Sequence, residues 1–130
     1  MRFIPTKVHG LLDYVVAVIL ILTPWMLDFA GHNAATFVLT ALGFSTIAYS
    51  LVTDYEWGVV KLIVMPLHLA VDLASGILLA LSPWVFGFSQ QIYLPHLLLG
   101  ILEVLVSLFS IPVPYESEAS KLMKKRARFL

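Results

Sequence analysis

Long apolar runs separated by short polar stretches set the plan of this chain. Four runs stand out: Val8 to Thr23, Ala34 to Val52, Leu67 to Leu81 and Tyr93 to Ile111. A helix needs about 17–25 residues to cross roughly 30 Å of hydrocarbon. The second and fourth runs meet that length, and the first and third reach it when extended through the Pro-Trp sequences that follow them. Backbone groups inside a bilayer must be bonded within the structure, and four strands are too few to close a barrel, so each run predicts a helix.

The polar positions inside these runs are not scattered. Aligning 7–30 with 66–89 at an offset of 59 gives seven identities in 24 positions: His9/His68, Asp13/Asp72, Leu20/Leu79, Leu22/Leu81, Pro24/Pro83, Trp25/Trp84 and Phe29/Phe88. The second and fourth runs align at an offset of 57, GFSTIAYSL (43–51) against GILEVLVSL (100–108), and TDYE at 53–56 is echoed by VPYE at 113–116. The unit is a pair of helices used twice. Two spans per unit make the repeats parallel, related by a pseudo-twofold axis along the membrane normal. The expected architecture is therefore all-α, a four-transmembrane-helix bundle built from two parallel two-helix repeats. Its parts are 1–60 (first repeat), 61–116 (second repeat) and 117–130 (a basic tail).

Composition agrees with a membrane protein. The chain is 60% hydrophobic and 12% charged, against about 25% charged in an ordinary soluble domain. A soluble domain of this size could not hide that much apolar side chain. With no cysteine, disulfides and thiolate metal sites are excluded. All eight basic residues fall on one side of the four-span plan: Arg2 and Lys7 before the first span, Lys61 between the second and third, and Lys121, Lys124, Lys125, Arg126 and Arg128 after the fourth. The positive-inside rule makes that side cytoplasmic, with both termini inside and both Pro-Trp sequences outside. The first span has the flanks of a signal peptide, but the third repeats it in mid-chain, so it reads as a retained span.

Proline lacks an amide hydrogen and suits the first turn of a helix, and Thr23 and Ser82 are good N-cap types. Each Pro-Trp is thus expected to kink its span, or to end it and open a short interfacial turn. Pro24, Trp25, Pro83 and Trp84 then act as interfacial anchors, with the indoles at headgroup depth. The doubled two-helix unit with LTPW and LSPW, each followed by an aromatic, resembles the SPW repeat family of small bacterial membrane proteins. The first copy carries Thr23 in place of the motif's serine. The resemblance covers the chain up to Tyr115 and implies a bacterial inner membrane and two spans per repeat, with no established activity.

Ionisable residues within spans are functional candidates by default. His9 and Asp13, like His68 and Asp72, are four apart and share a helix face. Small residues follow on the same faces at Ala17 and Gly76, so spans one and three are expected to meet near the pseudo-axis and bring both His/Asp pairs together. Three roles are open for the four residues. They can fasten the halves by hydrogen bonds, bind a divalent transition metal through two imidazoles and two carboxylates, or present His9 and His68 to a haem. A second polar face runs along span four through His96, Gly100, Glu103, Ser107 and Ser110, with a milder counterpart in Gly43, Thr46, Ser50 and Thr53. Glu103, His96 and Ser107 are candidates for an intramembrane proton relay.

The tail from Ser117 to Leu130 reads as an amphipathic cytoplasmic helix. Lys121, Lys124, Lys125, Arg126 and Arg128 would contact anionic lipid headgroups. No phosphate-binding loop or nucleophile–base pair is present, the loops leave no room for an enzyme domain, and nucleic acid is not an expected partner. The leading functional expectation is an accessory or interaction protein of the inner membrane, beside a larger complex or a second copy of itself. The alternatives are a divalent-metal-binding or cation-handling protein, and a proton or haem carrier.

Overall fold

The computed structural model describes residues 1–114, 116 and 118–129. Four helices form the bundle: α1 (Thr6–Met26), α2 (Asn33–Leu51), α3 (Met65–Val85) and α4 (Leu94–Phe109), with α5 (Glu118–Ala127) beyond them. Prolines start the helices where a free amide is not needed: Pro5 is the N-cap of α1, and α3 and α4 each carry a proline in the first two positions. Three of the four bundle helices are long and apolar enough to span a bilayer, and α4 is a shorter apolar helix of 16 residues. The expected fourth span ran to Ile111. It stops earlier because Ser110 turns extended, with φ −81° and ψ 142°, to pair with the chain's own N-terminal segment. The helices turn a broad apolar surface outward, including Val8, Val15, Phe37, Phe44, Leu98 and Leu105. This is a multi-pass membrane protein.

Within each repeat the two helices pack backbone to backbone. A Cβ on Gly43 of α2 would lie 2.8 Å from the Ala17 carbonyl of α1, and one on Gly100 of α4 would lie 2.6 Å from the Gly76 carbonyl of α3. The small residues on α1 and α3 therefore serve pairing inside each repeat. This corrects the expectation that Ala17 and Gly76 bring spans one and three together. The close backbone neighbours are α1 with α2 and α3 with α4, and the two pairs meet less closely, with the α2–α3 seam tighter than the α1–α4 seam. Helices α1 and α3 sit diagonally and meet through long side chains.

Two short backbone pairings tie the repeats into a ring. Ile4 donates to the Phe109 carbonyl (3.0 Å) and accepts from the Ile111 amide (2.9 Å); Ile63 donates to the Val52 carbonyl (2.9 Å) and accepts from the Asp54 amide (2.7 Å). These are the same pairing twice, at the 59- and 57-residue offsets of the sequence repeat. The core is split along the bundle. At the Pro-Trp end it is apolar, made of Leu20, Leu39, Leu79, Phe29 and Phe88 with Ala35 and Val38. At the other end, where α1 and α3 begin, it is polar, with a small apolar cluster of Tyr55, Met65 and Leu69 beside it.

Candidate metal centre

His9 and Asp13 come from the second and third turns' inward face of α1, and His68 and Asp72 from the same places on α3. All four are buried. One ligand atom from each lies within 4.8 Å of all the others. His9 Nε2 stands 2.9 Å from Asp72 Oδ2 and 3.1 Å from Asp13 Oδ1. His68 Nε2 stands 3.1 Å from Asp13 Oδ2 and 3.2 Å from Asp72 Oδ2. The two Nε2 atoms are themselves 3.2 Å apart. The pairs predicted from the sequence do converge, and each histidine meets the aspartate of the other repeat as well as its own.

The surrounding hydroxyls fix the state of the rings. His9 Nδ1 bonds Ser110 Oγ at 2.7 Å, and His68 Nδ1 bonds Thr53 Oγ1 at 2.8 Å. Each hydroxyl gives its single proton to the carbonyl one turn back, Val106 for Ser110 and Tyr49 for Thr53, both at 2.6 Å. A hydroxyl has only one proton to give, so it accepts from the ring and Nδ1 carries the hydrogen. Both Nε2 atoms are thereby directed at the centre. Their hydroxyl partners are swapped: the first repeat's histidine is held by the second repeat's serine, and the second repeat's histidine by the first repeat's threonine.

The carboxylates are held as closely. Tyr49 donates to Asp72 Oδ1 at 2.5 Å, Tyr55 donates to Asp13 Oδ2 at 2.9 Å, and Ser50 to the same oxygen at 3.4 Å. Tyr55 belongs to the linker between α2 and α3, which folds over the centre. It is 1% exposed. Burial, and then the Asp13 carboxylate, raise its phenol well above the ordinary tyrosine value, so it remains a donor. Gly10 makes room for the linker, since a Cβ there would lie 2.6 Å from both Tyr55 and Trp57. Trp57 Nε1 donates to the Lys7 carbonyl, Tyr14 donates to the Trp57 carbonyl, and Thr6 donates to the Glu56 carboxylate, pinning the cover to α1.

The donor set suits a divalent ion of the first transition series, for which imidazole and carboxylate are ordinary ligands. With metal–ligand distances of 2.0–2.2 Å, a tetrahedral site has ligand atoms about 3.3–3.6 Å apart. The close separations of 2.9–3.2 Å need open by a few tenths of an ångström, and the set of one ligand atom per residue, which spans up to 4.8 Å, must draw together along its longest edge. The two carboxylates also match the charge of a divalent cation. A haem does not fit this arrangement, because the plane between the two Nε2 atoms that a macrocycle would fill is occupied by the Asp13 and Asp72 carboxylates and the Tyr49 and Tyr55 hydroxyls bonded to them.

A family model for the SPW repeat domain matches residues 7–110. The chain belongs to the SPW repeat family. No curated protein and no solved structure matches it. The motif that names the family lies at the far end of α1 and α3 from the His/Asp centre, and there the structure corrects the expected role of its residues. Both helices run through their prolines and end at Met26 and Val85, so Thr23 and Ser82 cap no new turn. In the SPW sequence of α3, Ser82 Oγ donates to the Leu79 carbonyl at 2.7 Å. Leu79 lies four residues before Pro83, so its carbonyl is the one the proline ring cannot serve, and the serine supplies the missing hydrogen bond. In the TPW copy Thr23 Oγ1 bonds the Ile19 carbonyl instead, at 2.6 Å.

Each SPW sequence then closes its helix. The Phe29 and Phe88 amides reach back to the Pro24 and Pro83 carbonyls, both at 2.8 Å. The residue before each phenylalanine is left-handed, Asp28 at φ 57° and Gly87 at φ 75°, which is the standard way to satisfy the last carbonyls of a helix. The phenylalanines fold into the apolar core while Trp25 and Trp84 remain exposed on the outside.

The second polar face is inward as expected, with His96, Gly100, Ser107 and Ser110 buried. The three residues of the expected relay do not form a hydrogen-bonded chain among the described residues. His96 donates from Nε2 to the Ala35 carbonyl at 3.0 Å, with its ring between Phe29 and Phe88, and Ser107 donates to the Leu69 carbonyl at 2.6 Å. Glu103 instead lines a cavity of about 20 Å³ against His9, Asp13 and Asp72, and its buried Oε2 has no hydrogen-bond partner. Tyr49 and Tyr55 were not singled out from the sequence. Thr53 and Ser110 appeared there only as the last members of two polar faces, although the 57-residue offset relates them and marks them as a pair.

Proposed function

We propose that this SPW repeat protein is a divalent-metal-binding protein of the bacterial inner membrane, its two halves joined around one transition-metal ion held by His9, Asp13, His68 and Asp72. One observation carries the reading. Both imidazoles have their Nδ1–H committed to a hydroxyl, so two Nε2 atoms 3.2 Å apart converge on two carboxylates. Two neutral rings would oppose lone pair to lone pair, and two charged rings would oppose N–H to N–H. A single proton between the rings would remove both conflicts but leave one carboxylate charge unbalanced, whereas a divalent cation removes the conflicts and balances both carboxylates. The partners on Nδ1 and on both aspartates are the outer-shell contacts that orient metal ligands. On this reading metal handling stands ahead of the accessory role that small size and the lack of catalytic motifs favoured.

The orientation we adopt has both termini and the metal centre toward the cytoplasm, supported by the one-sided distribution of basic residues. The exposed basic residues of α5, Lys121, Lys124, Lys125 and Arg126, with Arg128 just beyond it, suit contact with anionic headgroups. Ser117 and Leu130, the expected ends of the tail helix, lie outside the described residues.

The test is elemental analysis of detergent-purified protein beside a His9→Ala, His68→Ala double variant, after growth with transition metals supplied. Near-stoichiometric metal that disappears in the variant is the expected result. Metal-free protein in both cases would refute the reading and leave the cluster as two imidazolium–carboxylate fasteners between the repeats.

A further inference from the structure

The two seams between the repeats differ beside the centre. At the α2–α3 seam Tyr49 fills the space and its hydroxyl caps Asp72 Oδ1. The pseudo-twofold axis relates Tyr49 to Val106 and Asp72 to Asp13, at the 57- and 59-residue offsets. At the α1–α4 seam there is accordingly no phenol. Asp13 Oδ1 meets His9 Nε2 at 3.1 Å and no hydroxyl among the described residues. The space that Tyr49 occupies on one side is, on the other, the cavity of about 20 Å³ lined by His9, Asp13, Asp72, Thr46, Glu103 and Val106. That volume holds one water. The one polar side chain in it outside the centre and Thr46 is Glu103, whose Oε2 is buried without a partner. A water there needs several polar partners, and the cluster on one wall with Glu103 on the other provides them.

We infer that the α1–α4 cavity is a binding position for one exchangeable small ligand on the metal, occupied at rest by water and oriented by Glu103, so that the centre is open on this side and closed on the other. The inference rests on the metal reading above. Structural metal sites are closed by their protein ligands, whereas sites that exchange ligands keep a position for a small molecule; beside these four protein ligands that position is a fifth. The loss of symmetry at residue 106 converts the first kind into the second. The ligand class is set by the space: a water-sized donor, neutral or singly charged, able to accept a metal on one side and donate to a carboxylate on the other.

The experiment loads the purified protein in lipid nanodiscs with Co2+, measures stoichiometry, and then records the visible absorption and the hyperfine signal from isotope-labelled water. Wild type is expected to show weak, five-coordinate absorption and a labelled-water signal. Val106→Tyr, which copies the closed seam, is expected to bind the same amount of cobalt, lose the water signal and gain several-fold in absorption as the site becomes four-coordinate. Glu103→Leu guards against misfolding of the tyrosine variant and is expected to lose the water signal likewise. A wild-type centre without labelled water would overturn the inference while sparing the metal reading, as would a signal unchanged in both variants. Absence of bound cobalt from wild type would overturn both, and the stoichiometry step separates that outcome from the other two.

Discussion

Replacing Thr53 by valine removes one hydroxyl and almost nothing else. The side chain keeps its shape, and the backbone pairing of the neighbouring Asp54 amide with Ile63, at 2.7 Å, does not involve it. What is lost is the acceptor 2.8 Å from His68 Nδ1, at a site where both residues are fully buried. A buried N–H left without a partner costs about 1–3 kcal/mol. Deletion of an outer-shell partner of a ligating histidine lowers metal affinity by about 10–100-fold, which is about 1.4–2.8 kcal/mol. The two routes agree, so Thr53→Val is expected to weaken metal binding by one to two orders of magnitude. The assay is competition against a chelator of known affinity, using detergent-purified protein. Thr40→Val is the matched control, because its hydroxyl bonds only the Thr36 and Phe37 carbonyls of its own helix. Ser110→Ala should weaken binding in the same range, since it removes the equivalent contact to His9. Equal affinities for Thr53→Val and Thr40→Val would refute the assignment of Nε2 as the metal-facing nitrogen.

Other consequences concern the bundle. Gly100→Ala would place a Cβ 2.4 Å from the Ala80 amide nitrogen, where ordinary contact begins at 3.4 Å. Overpacking of this kind costs about 1–3 kcal/mol or more and should lower the thermal midpoint in detergent, while Gly31→Ala, with nothing within 4 Å of its Cβ, should not. Ser82→Ala strands the Leu79 carbonyl that Pro83 cannot serve, and should destabilise α3 by about 1–3 kcal/mol, measured by denaturant unfolding in mixed micelles. Asp28→Gly relieves a left-handed residue at φ 57° where the other repeat already has glycine; a gain of roughly 1 kcal/mol is expected, and a lower midpoint would contradict it.

The sequence carried much of this arrangement because the same pattern is written twice. Apolar run length located the spans, and His9, Asp13, His68 and Asp72 announced themselves by recurring in register. The polar face of α4 was legible from spacing, although Glu103, His96 and Ser107 do not join in one hydrogen-bonded chain among the described residues: a shared helix face puts residues on one side but at different depths. Tyr49 and Tyr55 were illegible for a different reason. The counterpart of Tyr49 at the helix offset is Val106, so no recurrence marks it, and the echo of Tyr55 in VPYE stands at an offset of 60, out of register with both helix pairs. The hydroxyl–proline pair misled because serine before proline is both a good N-cap and a good donor to the carbonyl that proline abandons. Only the path of the helix decides between the two, and here it continues to Met26 and Val85.

The swapped hydroxyls bear on what the smallest working unit is. Neither half of the chain can fix its own histidine: His9 is steadied by Ser110 and His68 by Thr53, and the ring of backbone pairings crosses in the same sense. A lone two-helix half would own one imidazole, one carboxylate and a hydroxyl aimed at an absent neighbour. It would acquire a complete centre only by docking with a second half in the same up–down orientation. Fusing the halves into one polypeptide frees the two seams to diverge, one sealed by a tyrosine and the other left with a carboxylate facing a gap. A homodimer of identical halves has no means to make that distinction.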